Sequence, residues 1–276
     1  RSSDLNLVES MNPMLNIAIR AARKAGNIIA KNYERRDDIV TMEKSKNDYV
    51  TNVDKASEEA IIEVIKKSYP DHTIITEESG ALEGSDNDVQ WVIDPLDGTT
   101  NFVKGLPHFS VSIAIRVKGR TEVGVVYDPI RNELFTAVRG EGAKLNEQRL
   151  RVENKRDLSG AVLATGFPFK QAKYMPMQFN MMQSLIEEAA DFRRTGSAAL
   201  DLCYVASGRL DGYFEYGIKA WDVAAGDLIV REAGGIVTDY NAGHSYLKAG
   251  HIVAAAPRVL KEMLNKIQPC LAEDLK

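Results

Sequence analysis

Apolar residues recur at helical spacing after Met11. Leu15, Ala18, Ile19, Ala22 and Ile29 share one face of a 3.6-residue period, which predicts a helix to about Tyr33. Asn12-Pro13 reads as its N-cap and first position. A second helix is predicted over 54–68, with Ile61, Val64 and Ile65 inward. Residues 73–76 and 89–94 are short apolar runs that read as strands. Alternation over 109–117, a turn at Lys118-Gly119-Arg120 and a return over 122–127 predict a β-hairpin. A further strand follows over 133–138. From 149 to 158 the chain is polar and charged, as a link between two halves would be. Beyond it the pattern predicts a strand (161–165), helices (177–190, 198–207), a strand (212–215) and a helix (223–233). Strands (236–239, 251–255) and a last helix (257–267) complete it. There is no internal repeat. Helices and strands intermix with antiparallel hairpins, so the predicted class is α+β or layered α/β.

Composition narrows this picture. The 276 residues are 44% hydrophobic and 27% charged, enough for a large core in one big domain or two fused layers. Residues 1–10 lack the apolar core of a signal peptide and read as an expression remnant. The expected organisation is an N-terminal half, 11–150, and a C-terminal half, 151–276, in one compact unit. The formal net charge of −4 carries no basic excess that would announce a nucleic-acid binder. No apolar run approaches the ~20 residues of a membrane span. Cys203 and Cys270 make no disulfide framework and fit a reducing cytoplasm. Cys203, in an apolar helical stretch, reads as a buried small hydrophobe. His72, His108, His244 and His251 lack zinc-site spacing and read as structural.

The chemistry concentrates in Trp91-Val92-Ile93-Asp94-Pro95-Leu96-Asp97-Gly98-Thr99-Thr100-Asn101-Phe102. An apolar run delivers Asp94 to the carboxyl end of a strand, where α/β sheets place ligand sites. Pro95 cannot donate to a ladder and is expected to stop the strand. Gly98 lets the backbone turn and approach a ligand. Carboxylates, bare N–H groups and hydroxyls around one turn suit an oxygen-ligated divalent metal and a phosphate. Taken alone, Asp-Pro and Asp-Gly are also ordinary turn signals.

Four further acidic sites stand at element ends. Glu77 follows the strand 73–76, Asp54 heads a helix, Glu215 ends the strand 212–215, and Asp222 opens a helix behind Trp221. Singly, Asp54 and Asp222 read as N-caps, Glu77 as a solvated turn and Glu215 as a strand-end charge. Together, beside glycines and hydroxyls, they read as one site. Asp94 and Asp97 are three residues apart with Pro95 between. They cannot act as the nucleophile and acid of an Asp-x-Asp aspartyl-phosphate enzyme, whose carboxylates share one strand face. There is no P-loop lysine motif and no Gly-x-Ser-x-Gly elbow. Metal-assisted attack by water remains.

These motifs resemble the inositol monophosphatases, Mg²⁺-dependent, lithium-sensitive sugar-phosphate phosphatases with a layered αβαβα fold, often dimeric. The resemblance is carried by Asp94 through Phe102, Glu77-Glu78-Ser79, Gly196-Ser197-Ala198-Ala199 and Trp221-Asp222-Val223-Ala224-Ala225-Gly226, in order from about Met11 to Pro257. The segment from Met11 to Gly26 and Ala164-Thr165-Gly166-Phe167-Pro168-Phe169 look like the bacterial SuhB branch. The resemblance implies a first Mg²⁺ on Glu77, Asp94 and the Leu96 carbonyl, a second on Asp94, Asp97 and Asp222, and a third, weaker one near Glu77. It implies that Gly98 and Thr99 offer N–H groups to phosphate. Thr99, supported by Asp54, would join Glu77 in orienting water. Asp97, Glu215, Asp222 and the Ala198 backbone would meet the substrate. Residues 11–150 would then carry most metal ligands and 151–276 would complete the site. The family's lysine before Asp54 corresponds to Lys44, with one extra or shifted residue. The implied activity is hydrolysis of inositol monophosphate in the cytoplasm; another sugar phosphate, a bisphosphate or a phosphorylated nucleotide is the alternative substrate. Relatives of this branch further imply a part in ribosomal RNA antitermination with RNA polymerase or its elongation factors. Arg20, Lys24, Lys31 and Arg35, near one helical face, are compatible with such a partner and equally with a solvated face.

Overall fold

The computed structural model describes residues 2–35, 38–45 and 48–275, with the backbone alone at 2–12, 44, 45 and 48. In chain order the elements are α1 (Ser2–Tyr33), β1 (Thr41–Ser45), β2 (Asp48–Thr51), α2 (Asn52–Ser68), β3 (His72–Thr76), β4 (Gly80–Leu82), β5 (Asp86–Asp97) and α3 (Thr99–Lys104). Then come β6 (Ser110–Val117), β7 (Arg120–Asp128), β8 (Glu133–Val138), β9 (Gly142–Leu145) and β10 (Gln148–Arg149). The remainder is β11 (Val162–Thr165), α4 (Met175–Ile186), β12 (Asp191–Arg193), α5 (Ala198–Ala206), β13 (Gly212–Tyr216), α6 (Ala220–Glu232), β14 (Ile236–Thr238), α7 (Tyr246–Ala249), β15 (His251–Ala255) and α8 (Pro257–Ile267).

Two sheets organise the chain. The larger has eight strands in the order β10-β9-β8-β7-β6-β5-β3-β4; the smaller has five, β12-β11-β13-β15-β14. In the larger sheet β3 runs parallel to β5, whereas β5 to β8 form an antiparallel meander. Alternation along β5 explains the layering. Trp91 and Ile93 pack under α1 and α2 with Ala18, Ala22, Ile29, Ile61 and Ile65. Val92, on the opposite face, packs with α5, α6 and the second sheet, in a core of Leu200, Cys203, Val223, Leu228, Tyr213 and Ala254. α4 and α8 cover the outer face of the second sheet through Met181, Leu185, Phe214, Val253, Met263 and Ile267. The result is the layered αβαβα sandwich. Among the described residues no helix is long and apolar enough to cross a membrane.

Three expectations about element ends change. α1 starts at Ser2, so Asn12-Pro13 does not cap it; Pro13 lies inside the helix, where its missing N–H removes one ladder bond without ending it. Pro95 does not stop β5, which continues to Asp97. The register against β6 instead shifts between Asp94 and Asp97, and a residue without an N–H is tolerated at such an irregularity. Asp54 and Asp222 are not N-caps. The caps are Thr51 and Lys219, and both aspartates occupy the third helical position, accepting from the cap N–H.

Two glycines bring α6 close to its neighbours. A Cβ on Gly124 of β7 would lie 2.7 Å from the Ala225 carbonyl oxygen, and one on Gly226 would lie 2.6 Å from Leu202. Since the Gly124 contact is with backbone, a side chain there must displace α6. Gly124→Val is expected to destabilise the protein by about 2 kcal/mol or more, read as a lower urea midpoint. An unchanged midpoint would show that α6 is not held against β7.

Candidate active site

A cavity of about 590 Å³ opens at the carboxyl end of β5, where the two sheets meet around α5 and α6. It is lined by Glu77, Asp94, Leu96, Asp97, Gly98 and Thr99 from the first half and by Ala198, Glu215 and Asp222 from the second. Among the described residues read as metal, catalytic or substrate groups in the sequence, Asp54 is the one that does not line it. Asp54 is 1% exposed and lies directly behind Thr99, whose hydroxyl reaches its Oδ1 at 2.9 Å. Thr51 holds the other Asp54 oxygen through its N–H and hydroxyl. Burial raises the Asp54 pKa, while the bonds from Thr51 and Thr99 oppose that rise. The Lys44 side chain lies outside the described residues.

The acidic groups are held partly by their own elements and partly by neighbouring ones. Asp94, 2% exposed, accepts from the Leu96 N–H at 2.9 Å. Asp97 accepts from the Ser197 hydroxyl at 2.6 Å and the Ala199 N–H at 2.8 Å, which ties the first sheet to α5. Asp222 accepts from the Lys219 N–H at 2.6 Å. Glu77 leaves β3 with its N–H on the Ile93 carbonyl, at 3.3 Å. Glu215 accepts from the Tyr213 hydroxyl at 2.7 Å. It fits only because residue 166 is glycine: a Cβ there would sit 2.0 Å from Glu215 Oε1.

Gly98 has φ +98° and caps α3, so that the first turn of α3 faces the cavity with N–H groups that have no helical partner. A side chain on Gly98 would meet the His108 carbonyl oxygen at 3.1 Å, so glycine is required on both counts.

The electrostatics are one-sided. Burial first, then Glu77, Asp97 and Asp222, hold the Asp94 carboxyl well above its ordinary range. Asp97 is pushed up to about 6 by burial, against its bonds to Ser197 and α5. Asp222 is half-buried on the cavity wall, yet burial followed by the charge of Asp97 also raises it well above the usual range. Burial lifts Glu215 to about 7, opposed by Tyr213 and Arg194.

Crowded carboxylates whose pKa values burial holds above the ordinary range are chemically matched to a divalent ion. They line the cavity without closing into a tight cluster of three or more ligands among the described residues. Mg²⁺ fits that arrangement, because it uses one or two carboxylates and completes its shell with water and substrate phosphate.

The cavity also contains residues the sequence reading did not single out. Arg194 lines it, stands 5.6 Å from the Phe169 ring centre and lowers the Asp97 and Glu215 pKa values. Asp201 is buried beside it and accepts from the Thr195 hydroxyl at 2.7 Å. Both flank the Gly196-Ser197-Ala198-Ala199 segment, whose neighbours were the available signal.

Comparison with known proteins follows from this geometry. Residues 10–273 match the model of the inositol monophosphatase family. The Nus factor SuhB of Pasteurella multocida (strain Pm70) is 82% identical over 266 residues, covering 96% of this chain and 100% of that protein. Among solved structures, extragenic suppressor protein suhB from Bartonella henselae superposes with a TM-score of 0.90 at 38% identity, covering 93% of this chain and 98% of that one. An inositol monophosphatase from Anabaena (Nostoc) sp. PCC 7120 gives 0.85 at 36% identity, covering 97% and 100%.

Glu215 supplies a prediction for the metal-free protein. Its folded pKa lies above the ordinary 4.5, so its stabilising contribution is complete below that value and is lost as pH rises through about 7. In EDTA the melting temperature should fall between about pH 5 and pH 7.5, and Glu215→Gln should flatten part of that fall. Identical profiles for the two proteins would contradict the burial of an ionisable Glu215.

Proposed function

The chain belongs to the inositol monophosphatase family, and we propose that it hydrolyses inositol monophosphate and related small sugar phosphates by direct attack of water. The observation that carries this reading is the convergence of Glu77, Asp94, Asp97 and Asp222 on one cavity beside the Gly98-Thr99 turn. Residues 11–150 supply most of the proposed metal ligands, and 151–276 close the site. Two or three Mg²⁺ ions would be held by Glu77, Asp94, the Leu96 carbonyl, Asp97 and Asp222. When bound, Mg²⁺ neutralises charge on the phosphate and acidifies water, which supplies a nucleophile near neutral pH.

The protein's own residues do the positioning. Gly98 and the first turn of α3 receive the phosphate oxygens through backbone N–H groups. The Thr99 hydroxyl donates to Asp54, so its lone pairs face the cavity and accept from the attacking water. Glu77, also on the cavity wall, accepts the proton that water loses. Asp97, Asp222, Glu215 and the Ala198 backbone face the departing polyol and hold its hydroxyls. Glu215 from the second half shares the cavity lining with Asp97, which suits a leaving group rich in hydroxyls rather than an apolar one. A bisphosphate or phosphorylated nucleotide is the runner-up substrate.

The 82% identity to a protein named Nus factor SuhB supports a second role, as a partner of RNA polymerase or its elongation factors in ribosomal RNA antitermination in the cytoplasm. Arg20, Lys31 and Arg35 are exposed and open to such a partner, whereas Lys24 is engaged by Glu63 at 2.6 Å. Exposed Phe169, Phe179 and Ile186 support a homodimer contact.

Phosphate release from inositol 1-phosphate should require Mg²⁺ and be inhibited by Li⁺. It should fall more than about a hundredfold in Asp94→Asn, and by about ten- to a hundredfold in Thr99→Val, which loses the Asp54 partner. A panel including a bisphosphate and a nucleotide monophosphate ranks the substrates. Turnover by Asp94→Asn at the wild-type rate would refute the metal-centred assignment. Capture of RNA polymerase or its elongation factors by Asp94→Asn as well as by wild type would support a separate binding role; capture by neither would refute that role.

A further inference from the structure

A second cavity, of about 540 Å³, lies between the β6–β7 hairpin, the end of β8, the last turns of α6 and α7. It shares no lining residue with the catalytic cavity. Arg231, on its wall, is nine residues beyond Asp222 on α6, or about 14 Å along the helix axis. On a protein of net charge −4 its lining is strongly cationic.

Four of the five lining cations, Arg120 aside, fall into two groups. Arg231 and Arg139 are pre-positioned. Arg231 donates to Asp227 at 2.7 Å, to the Val237 carbonyl at 2.6 Å and to the Tyr246 hydroxyl at 2.9 Å. Arg139 donates to the Thr121 carbonyl at 2.9 Å and stands 3.5 Å from Glu122. Glu122 also takes Arg120. Arg116 and Lys248 form the second group. Arg116 donates one terminal nitrogen to the Gly119 carbonyl, while its Nε–H is buried with no acceptor. Among the described residues neither Arg116 nor Lys248 has a carboxylate within ion-pair distance. Five cationic side chains thus surround a space served by two carboxylates, Asp227 and Glu122, both already engaged.

Guanidinium groups held by their own hydrogen bonds lose little freedom on meeting a phosphate and can bind it through two parallel N–H donors. The volume is in the range of small-molecule clefts. We propose that this cavity is a second binding site for a small molecule carrying two or more phosphate charges, separate from the catalytic centre. Arg116 and Lys248 contribute its free charge, and Arg139 and Arg231 its rigid wall. A recessed cavity of this volume suits a compact phosphorylated ligand better than the extended backbone of a nucleic acid.

Inorganic pyrophosphate is a suitable probe, titrated calorimetrically into the full chain in EDTA. Without metal the probe's charge meets the carboxylates of the catalytic cavity, and binding there would differ between wild type and Asp94→Asn. Wild type and Asp94→Asn should bind alike. Arg116→Gln combined with Lys248→Gln should weaken binding by about tenfold or more, as expected for two charge-assisted contacts. Arg20→Gln with Lys31→Gln removes the same charge from α1 and should leave affinity within about twofold. Absence of binding by wild type would overturn the proposal, as would equal weakening by the α1 pair, which would reduce the effect to net charge. Lys248→Gln alone, at an exposed position, keeps the test decisive if the double variant fails to fold: it should weaken binding severalfold, and unchanged affinity would overturn the site.

Discussion

Everything about this fold that bears on chemistry follows from one electrostatic constraint. Asp94, Asp97 and Asp222 are gathered into a partly desolvated cavity with Glu77 and Glu215, where Arg194 lowers the Asp97 and Glu215 pKa values only in part. Like charges in a low-dielectric setting are unfavourable unless protonated, hydrogen-bonded or matched by a cation. The protein uses hydrogen bonds in part: Ser197 and Ala199 serve Asp97, Leu96 serves Asp94, and Lys219 serves Asp222. Those bonds do not cancel the upward pressure on the carboxyl pKa values. The imbalance is the physical reason for expecting a divalent ion.

The scaffold imposes that crowding from two directions. β3 runs parallel to β5 and ends at Thr76 opposite Ile93, which places Glu77 beside Asp94. α5 and α6 come from the second half and are clamped between the sheets, so Asp97 meets Ser197 and Asp222 meets the cavity. The shift in register at Pro95 turns the end of β5 without ending its pairing, and Gly98 then reverses the chain into α3. Asp54 acts at one remove, fixing the hydroxyl of Thr99 from behind the cavity wall.

Much of this was legible in the residues, for identifiable reasons. Long amphipathic segments such as α2 and α8 and the β6–β7 hairpin have strong periodicity, and their predicted ranges match closely. The acidic set was legible because carboxylates beside glycine and hydroxyls at element ends are costly unless they serve a ligand. The short elements β1, β2, β4, β9, β10, β12 and α3 were not, since a few residues carry too little periodicity to separate a strand from a loop. Helix starts were misjudged by a few residues at Asp54 and Asp222. A third-position aspartate in a capping box and a cap aspartate look alike in sequence, and only the backbone conformation distinguishes them. Arg194 had one local signal, its place beside the Gly196-Ser197-Ala198-Ala199 segment, whereas the cationic cavity around Arg231 depends on contacts between distant segments, for which local sequence gives no signal.

The central claim is that Asp94 lies at the focus of a repulsive carboxylate cluster which Mg²⁺ relieves. Thermal unfolding of wild type and Asp94→Asn, each in EDTA and in saturating Mg²⁺, tests it directly. In EDTA the variant should melt at or above the wild-type temperature, because one crowded charge is gone. Mg²⁺ at about a hundred times its dissociation constant should stabilise wild type by about 2.7 kcal/mol and raise the variant far less. A variant less stable than wild type in EDTA, or equal stabilisation of both proteins by Mg²⁺, would contradict the account.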